Sequence, residues 1–185
     1  MTAILVLAAP LHSLLTGTVP ADLLGPRLSA PVLLSWMLIG FGASIRLWGS
    51  GNLRKNQEIT RTGVYVLVRH PLYTGSLSLF LAYFLTVGSP GFGLLLFVAL
   101  VGFVYYPTML GEEEYLTLKF PAQFSRYRPP PRLLPDLRKI PEALRTDQFQ
   151  LEAARRNLGF RSFSFLLFLP LFLRALGWLQ LRAPF

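Results

Sequence analysis

Residues 72–110 read LYTGSLSLFLAYFLTVGSPGFGLLLFVALVGFVYYPTML, and this stretch decides the fold because it contains no charged side chain. Two apolar runs, Leu72–Gly88 and Gly91–Leu110, flank the helix-breaking dipeptide Ser89-Pro90. Helices of these lengths rise ~26 Å and ~30 Å, which is close to the ~30 Å hydrocarbon core of a bilayer. The pattern predicts a helical hairpin that crosses a membrane and returns to the depth at which it began.

The residues that flank this hairpin are charged. Arg69-His70 comes before it, and a run of three acids that begins with Glu112-Glu113 comes after it. Because the two arms have similar lengths, we expect Arg69 and His70 to lie beside Glu112 and Glu113. The helix dipole disfavours acids at the C-terminal end of a helix. The pattern therefore predicts a cation that offsets them, either Arg69 or a bound ligand.

The composition agrees with a membrane protein, since 52% of the residues are hydrophobic and the mean hydropathy is +0.47. Two further apolar runs, Thr2–Val19 and Leu28–Trp48, predict N-terminal spans. The net charge is +9, and the basic residues concentrate in segments 49–70 and 111–161. The positive-inside rule places both segments in the cytosol. We therefore expect a multi-pass protein of an inner or plasma membrane, with a cytosolic N-terminus and active site.

The C-terminal part of the chain allows two interpretations. The apolar run Ser162–Leu173 is short, and Pro170 and Arg174 interrupt its continuation, so we expect an interfacial or re-entrant helix rather than a further span. Upstream, Phe149–Leu158 predicts an amphipathic helix. The fold class predicted is an all-α integral membrane protein with four or five transmembrane helices and a cytosolic C-terminal helical segment.

We expect this architecture to form a single membrane domain over residues 1–185. Its N-terminal spans occupy residues 1–48. A core that binds the ligand occupies residues 49–135 and includes the helical hairpin 72–110. Amphipathic or interfacial helices occupy residues 136–185.

The residue types exclude several kinds of site. The chain has no cysteine, which excludes disulfides and thiolate metal sites. Its two histidines, His12 and His70, are too few for a multi-histidine centre, so we expect no metal. His12 is expected to be a packed or interfacial residue. The basic residues flank apolar runs, which favours a bilayer and anionic lipid over nucleic acid as the partner.

The residues after the hairpin indicate the walls of a pocket. Glu112, Leu116, Phe120 and Phe124 recur every four residues, which predicts one helix face that carries an acid and aromatic rings. The following stretch, Arg128-Pro-Pro-Pro-Arg132-Leu-Leu-Pro135, favours a polyproline conformation. It is either a linker or a strap that crosses the mouth of the pocket.

Two signatures resemble those of a known superfamily. Gly63-Val-Tyr65 and then Val68-Arg69-His70-Pro71-Leu-Tyr73-Thr-Gly75 resemble the first signature of the isoprenylcysteine carboxyl methyltransferases and phospholipid methyltransferases. Glu112-Glu113-x-x-Leu116-x-x-x-Phe120, followed by Phe124 and Tyr127, resembles the second signature. The resemblance covers about residues 40–135 and includes the order, the spacing and the hairpin between the signatures.

This resemblance implies S-adenosylmethionine as a methyl donor held on the cytosolic side. It also implies a lipid or lipophilic small molecule as the acceptor, which enters from the bilayer. Catalytic roles are implied for Arg69, His70, Glu112 and Glu113. The implied cofactor site comprises Tyr65, Arg69, His70, Pro71, Tyr73, Gly75, Glu112, Glu113, Leu116 and Tyr127.

The sequence departs from the resemblance in ways that leave the acceptor open. The carboxyl methyltransferases often carry an arginine shortly before the glutamate pair, but Pro107–Gly111 contains none. An amine, a thiol and a carboxylate therefore all stay candidates. Pro121 replaces a usual glycine, and Phe124 replaces a tyrosine. Two alternative functions are an NADPH-dependent enzyme similar to the sterol reductases and a non-catalytic membrane binding protein of the same fold.

Overall fold

A computed structural model of the protein describes residues 1–26, 29–125 and 129–182. Regular structure in these ranges is helical, and no strand occurs among them, which confirms the predicted all-α class. The chain forms two compact units. The first comprises Met1–Phe41, Leu77–Tyr105 and Phe163–Phe185, and the second comprises Gly42–Ser76 and Tyr106–Ser162.

The helices follow the apolar runs and the proline positions of the sequence. The α-helices of the described residues are α1 (Thr2–Thr16), α2 (Ala30–Asn52), α3 (Pro71–Thr86), α4 (Pro90–Leu100), α5 (Tyr106–Lys119), α6 (Pro121–Phe124), α7 (Ile140–Arg145), α8 (Leu151–Arg156) and α9 (Ser164–Arg182). Short 3₁₀ helices lie at Gly63–Val66, Leu137–Lys139 and Gly159–Phe163, and a π-helical turn at Val101–Tyr105 joins α4 to α5.

By length and composition, three helices of the described residues are suited to crossing a membrane. They are Ala30–Asn52, Pro90–Lys119 and Gly159–Leu181. The predicted spans Thr2–Val19 and Leu72–Gly88 fold as α1 and α3, which have 15 and 16 residues. Both are shorter than the ~20 residues that a helical span requires. By length and composition, the described residues therefore provide three candidate spans, and the expected four or five are not confirmed.

The C-terminal helix corrects one expectation. We expected Pro170 and Arg174 to interrupt the apolar run, but α9 continues through both residues. Together with the preceding 3₁₀ turn it makes a 23-residue apolar helix, Gly159–Leu181. Proline costs a helix one backbone hydrogen bond but does not always end it. We favoured an interfacial helix because the apolar run Ser162–Leu173 is short. The length of the helix Gly159–Leu181 removes that reason.

The first unit contains the turn of the predicted hairpin. Ser89 is the N-cap of α4, and Pro90 occupies its first turn, where the missing N–H costs no helical hydrogen bond. A Cβ atom added to Gly93 would overlap the carbonyl oxygen of Phe84. The absence of a side chain at Gly93 thus allows α4 to approach α3 closely behind the turn.

The core of the second unit forms around the 3₁₀ turn Gly63–Val66. Val64 and Val68 are fully buried and cluster with Ile45 and Ala143. Ala143 lies in α7, which packs against the same turn. These contacts fix the backbone that leads directly into the Arg69-His70 turn.

Candidate active site

The Arg69-His70 turn is held on one side by residues 131–136, which we call the strap. Hydrogen bonds join Arg69 N to Pro131 O (2.8 Å), His70 N to Arg132 O (3.3 Å), Asp136 N to Leu67 O (2.9 Å) and Thr74 Oγ1 to Leu133 O (2.8 Å). A free linker would not make such a series. Of the two interpretations of the proline-rich stretch, the structure supports a strap, and the hydrogen bonds show that this strap holds the Arg69-His70 turn.

The opposite side of the site comes from the end of a long helical stretch. Pro90–Lys119 contains 30 residues, so it is ~45 Å long and exceeds the ~30 Å hydrocarbon core. Its uncharged part ends at Gly111, and Glu112 and Glu113 follow in α5. These two acids therefore lie beyond the part of the helix that is suited to the bilayer.

Glu113 is the centre of a charged cluster. Its Oε1 lies 2.8 Å from Arg69 Nη1 and 3.0 Å from His70 Nε2. Arg132 of the strap binds both carboxylate oxygens, with Nε 3.0 Å from Oε1 and Nη2 3.1 Å from Oε2. We call Arg69, His70, Glu113 and Arg132 the Glu113 cluster. The predicted adjacency of Arg69-His70 and the glutamate pair is confirmed.

The cluster determines the orientation of His70. Because a carboxylate only accepts hydrogen bonds, we assign the proton to Nε2, which donates to Glu113. Nδ1 is then an acceptor in the neutral ring, and it lies 3.9 Å from Glu112 Oε2. The Glu112 side chain is 44% exposed, whereas that of Glu113 is 14% exposed. The two adjacent acids thus differ, since Glu113 organises the cluster and the Glu112 side chain stays largely accessible.

The ionisation of Glu113 follows from its partners. Burial on its own would raise the pKa of this carboxyl, but hydrogen bonds from Arg132, His70 and Arg69 outweigh it and lower the pKa from 4.5 to about 2. The hydrogen bond that Arg132 donates to this carboxylate raises the pKa of the Arg132 guanidinium above its ordinary value. Both groups are therefore charged near neutral pH.

A cavity of about 500 Å³ opens beside the cluster. This volume lies within the ~300–1,000 Å³ that is usual for small-molecule sites. Its walls combine the charged residues with aromatic rings and aliphatic side chains. The aromatic lining residues are Tyr65, Tyr73, Tyr115 and Phe124. Such a mixture can hold a ligand that has a flat ring and charged groups of both signs.

Most of the residues expected at the cofactor site line this cavity. These are Tyr65, Arg69, His70, Pro71, Tyr73, Glu112, Glu113 and Leu116. Gly75 is not among the lining residues. A Cβ there would overlap Cγ of Arg46 and lie 2.7 Å from the carbonyl oxygen of Gly42, so this glycine allows α3 to pack against α2. Tyr127 lies outside the described residues.

Two helix predictions near the site are wrong in detail. We expected Glu112, Leu116, Phe120 and Phe124 to share one helix face, but α5 ends at Lys119. Phe120 leaves the helix with φ −128° and ψ 57°, because a residue before proline avoids the helical region. The predicted amphipathic helix Phe149–Leu158 is also shorter, since α8 covers only Leu151–Arg156.

Sequence reasoning missed several residues of the site. The sequence placed Arg132 only in a proline-rich stretch. A basic residue among prolines was a weak signal that this stretch contributes to a charged site. The lining of the cavity also includes the loop 53–60 and the segment Arg156-Asn157-Leu158. Arg156 lies within the predicted amphipathic helix Phe149–Leu158, and periodicity alone could not distinguish the polar surface of such a helix from a cavity wall.

The comparison with protein families agrees with the two signatures. Residues 32–123 match the model of the family described as phospholipid methyltransferase. Over this segment the chain is similar to that family. The match confirms the predicted resemblance, and it implies a membrane methyltransferase that acts on lipid. No curated protein and no solved structure matches the chain.

The limits of the match separate the site into two parts. The Arg69-His70 turn, the hairpin and the glutamate pair lie inside residues 32–123 of this chain, the segment that matches the phospholipid methyltransferase model. Arg132 and the rest of the strap lie after the match, as does Arg156. The family therefore accounts for the centre of the Glu113 cluster, whereas the residues that support and surround it come from the remainder of the chain.

Proposed function

We propose that the protein transfers a methyl group from S-adenosylmethionine to a lipid acceptor at the cytosolic face of a membrane. The observation that carries the proposal is the Glu113 cluster on the wall of a 500 Å³ cavity, within a segment that matches the phospholipid methyltransferases. The basic segments 49–70 and 111–161 support the cytosolic placement.

The residues present fit such a donor. Arg69 Nε is buried and has no hydrogen-bond partner among the described residues, so a carboxylate oxygen of a ligand can satisfy this N–H. Glu112 is the less engaged acid and suits an ammonium or a sulfonium. The rings of Tyr65 and Tyr73 suit a flat base. When bound, S-adenosylmethionine supplies an electrophilic methyl group on a positively charged sulfur.

The residues then have distinct tasks. Glu113 holds Arg69 and His70 in fixed orientations, which lowers the entropy cost of aligning two ligands for an in-line displacement. Of the possible acceptors we favour an amine headgroup, because the matched family acts on phospholipids. His70 Nδ1, with Glu112 beside it, can take the proton that an amine loses when its nitrogen is methylated.

Calorimetry on the detergent-purified protein tests the donor. S-adenosylmethionine should bind the wild type, and Glu112→Gln should weaken binding by roughly tenfold. Glu114→Gln is the matched control, since Glu114 has the same chemistry but does not line the cavity. No binding to the wild type, or equal weakening in both variants, would contradict the proposal.

A second measurement tests the reaction. Incubation with a total lipid extract and a donor that carries a labelled methyl group should give a labelled lipid, which mass spectrometry identifies. Label in an amine headgroup is the expected result. Binding of the donor without any labelled product would refute methyl transfer to lipid.

A further inference from the structure

The wall of the cavity carries a basic patch that the Glu113 cluster does not use. It is formed by Arg54 and Lys55, at the start of the loop 53–60, and by Arg156 at the end of α8. All three lie outside the residues expected from the signatures. We propose that this patch, which we call the oxyanion subsite, binds the phosphate or carboxylate of a ligand in the cavity.

Hydrogen bonds bring the two segments together. Asn157 Nδ2 donates to the carbonyl oxygens of Ser50 (2.9 Å) and Leu53 (3.3 Å). Arg156 therefore lies on a segment that is tied to the residues next to Arg54 and Lys55. The backbone segments that carry the three cations are therefore neighbours on the wall of the same cavity.

The charges of the subsite are not neutralised by the protein. Lys55 and Arg156 are exposed and form no ion pair with any residue in the described ranges. Arg54 Nη1 donates to Gln150 Oε1 at 2.7 Å, and this neutral partner orients the guanidinium without removing its charge. Glu58 on the same loop is the one acid of this part of the lining, so positive charge is in excess.

The rest of the cavity supplies a contrast. The charge of Arg69 is already paired with that of Glu113, whereas the cations of the subsite have their charge available for a ligand. Arginine and lysine bind carboxylate and phosphate through charge-assisted hydrogen bonds. Two sources of the oxyanion fit the proposed function on which this inference rests: the phosphodiester of the lipid acceptor and the carboxylate of the methyl donor.

The test compares Lys55→Gln/Arg156→Gln with Arg138→Gln/Lys139→Gln. The control removes the same charge from the same unit, but Arg138 and Lys139 do not line the cavity. Calorimetry on the full chain in detergent uses inorganic phosphate first. The wild type and the control should bind phosphate, and the subsite variant should bind it about tenfold more weakly or not at all.

Two further pairs of probes distinguish the sources. Short-chain phosphatidylethanolamine is compared with a diacylglycerol of the same chains, and S-adenosylhomocysteine is compared with methylthioadenosine, which lacks the carboxylate. If the acceptor supplies the oxyanion, the subsite variant loses about tenfold affinity for the phospholipid alone. If the donor supplies it, the loss is confined to S-adenosylhomocysteine.

The outcome for the subsite is separate from that for the proposed function. Equal affinities of the subsite variant and the control for all oxyanion probes would overturn the subsite, even if methyl transfer is observed. The subsite would also be overturned if the subsite variant lost as much affinity for diacylglycerol and methylthioadenosine, which carry no oxyanion, as it lost for their charged counterparts. Recognition of a negative charge would then not explain the loss of affinity. Failure of the wild type to bind any nucleoside probe, with phosphate binding intact, would reject only the methyl donor.

Discussion

The substitution Glu113→Gln tests whether one carboxylate organises the site. Its Oε1 accepts from Arg69, His70 and Arg132 at 2.8–3.0 Å, and an uncharged amide would leave two guanidinium groups without a counter-charge. Hydrogen bonds to charged groups contribute ~1.5–3 kcal/mol each. The Arg132 side chain is 42% exposed, so solvent screens its contact with Glu113 and we leave this contact out of the sum.

Because the amide oxygen of glutamine can still accept a hydrogen bond, Glu113→Gln should lose the equivalent of about one such bond, and the free energy of unfolding should fall by about 2–3 kcal/mol. For a chain of this size, each kcal/mol corresponds to ~2–4 °C in the melting temperature, which gives a fall of about 4–12 °C. Tryptophan fluorescence during heating in detergent measures it, since the chain has three tryptophans.

Glu112→Gln is the matched control for this experiment. Its nearest partner, His70 Nδ1, lies 3.9 Å away, so its melting temperature should change by less than ~2 °C. Arg132→Ala should destabilise the wild type but have little further effect in Glu113→Gln, because the contact is already lost. Equal melting temperatures for Glu112→Gln and Glu113→Gln would refute the central role of Glu113.

Two further predictions concern pH and packing. The pKa of Glu113 is lower in the folded protein than its ordinary 4.5, so its stabilising contribution is complete above pH 4.5 and disappears as the pH falls towards about 2. Melting temperatures measured across this range should converge for the wild type and Glu113→Gln at the acidic end, and a constant difference would contradict this. Gly75→Ala should destabilise the protein by ~1–3 kcal/mol through overlap with Arg46 and Gly42 O. Its affinity for S-adenosylmethionine at a temperature where it is folded should match that of the wild type, and a selective loss of affinity would instead indicate a direct binding role.

Much of the centre of the site could be predicted from local patterns. The uncharged stretch 72–110 and its Ser89-Pro90 break determine a hairpin by arm length alone, and this predicted that Arg69-His70 would meet the glutamate pair. The choice between Glu112 and Glu113 could not be predicted. Adjacent residues of a helix point ~100° apart, and tertiary packing decides which of them faces the turn.

Other features depend on contacts that no sequence period encodes. Arg132 reaches Glu113 from 19 residues further along the chain, by way of an irregular strap. Arg156 reaches the cavity wall because Asn157 bonds back to Leu53. By contrast, the C-terminal end of α5 could have been predicted from a local rule, since Pro121 disfavours a helical conformation at Phe120. The four-residue recurrence of apolar side chains obscured that signal.

The chemistry of the strap has a consequence for how the protein avoids unwanted association. Carbonyl oxygens of Pro131, Arg132 and Leu133 accept hydrogen bonds from the turn and α3. Pro129, Pro130 and Pro131 carry no N–H. A second chain that tried to pair with this segment would find these carbonyl oxygens already engaged and no N–H at the three prolines, so the segment is a poor template for a β ladder. In the folded protein the prolines thus disfavour edge-to-edge association through this irregular segment.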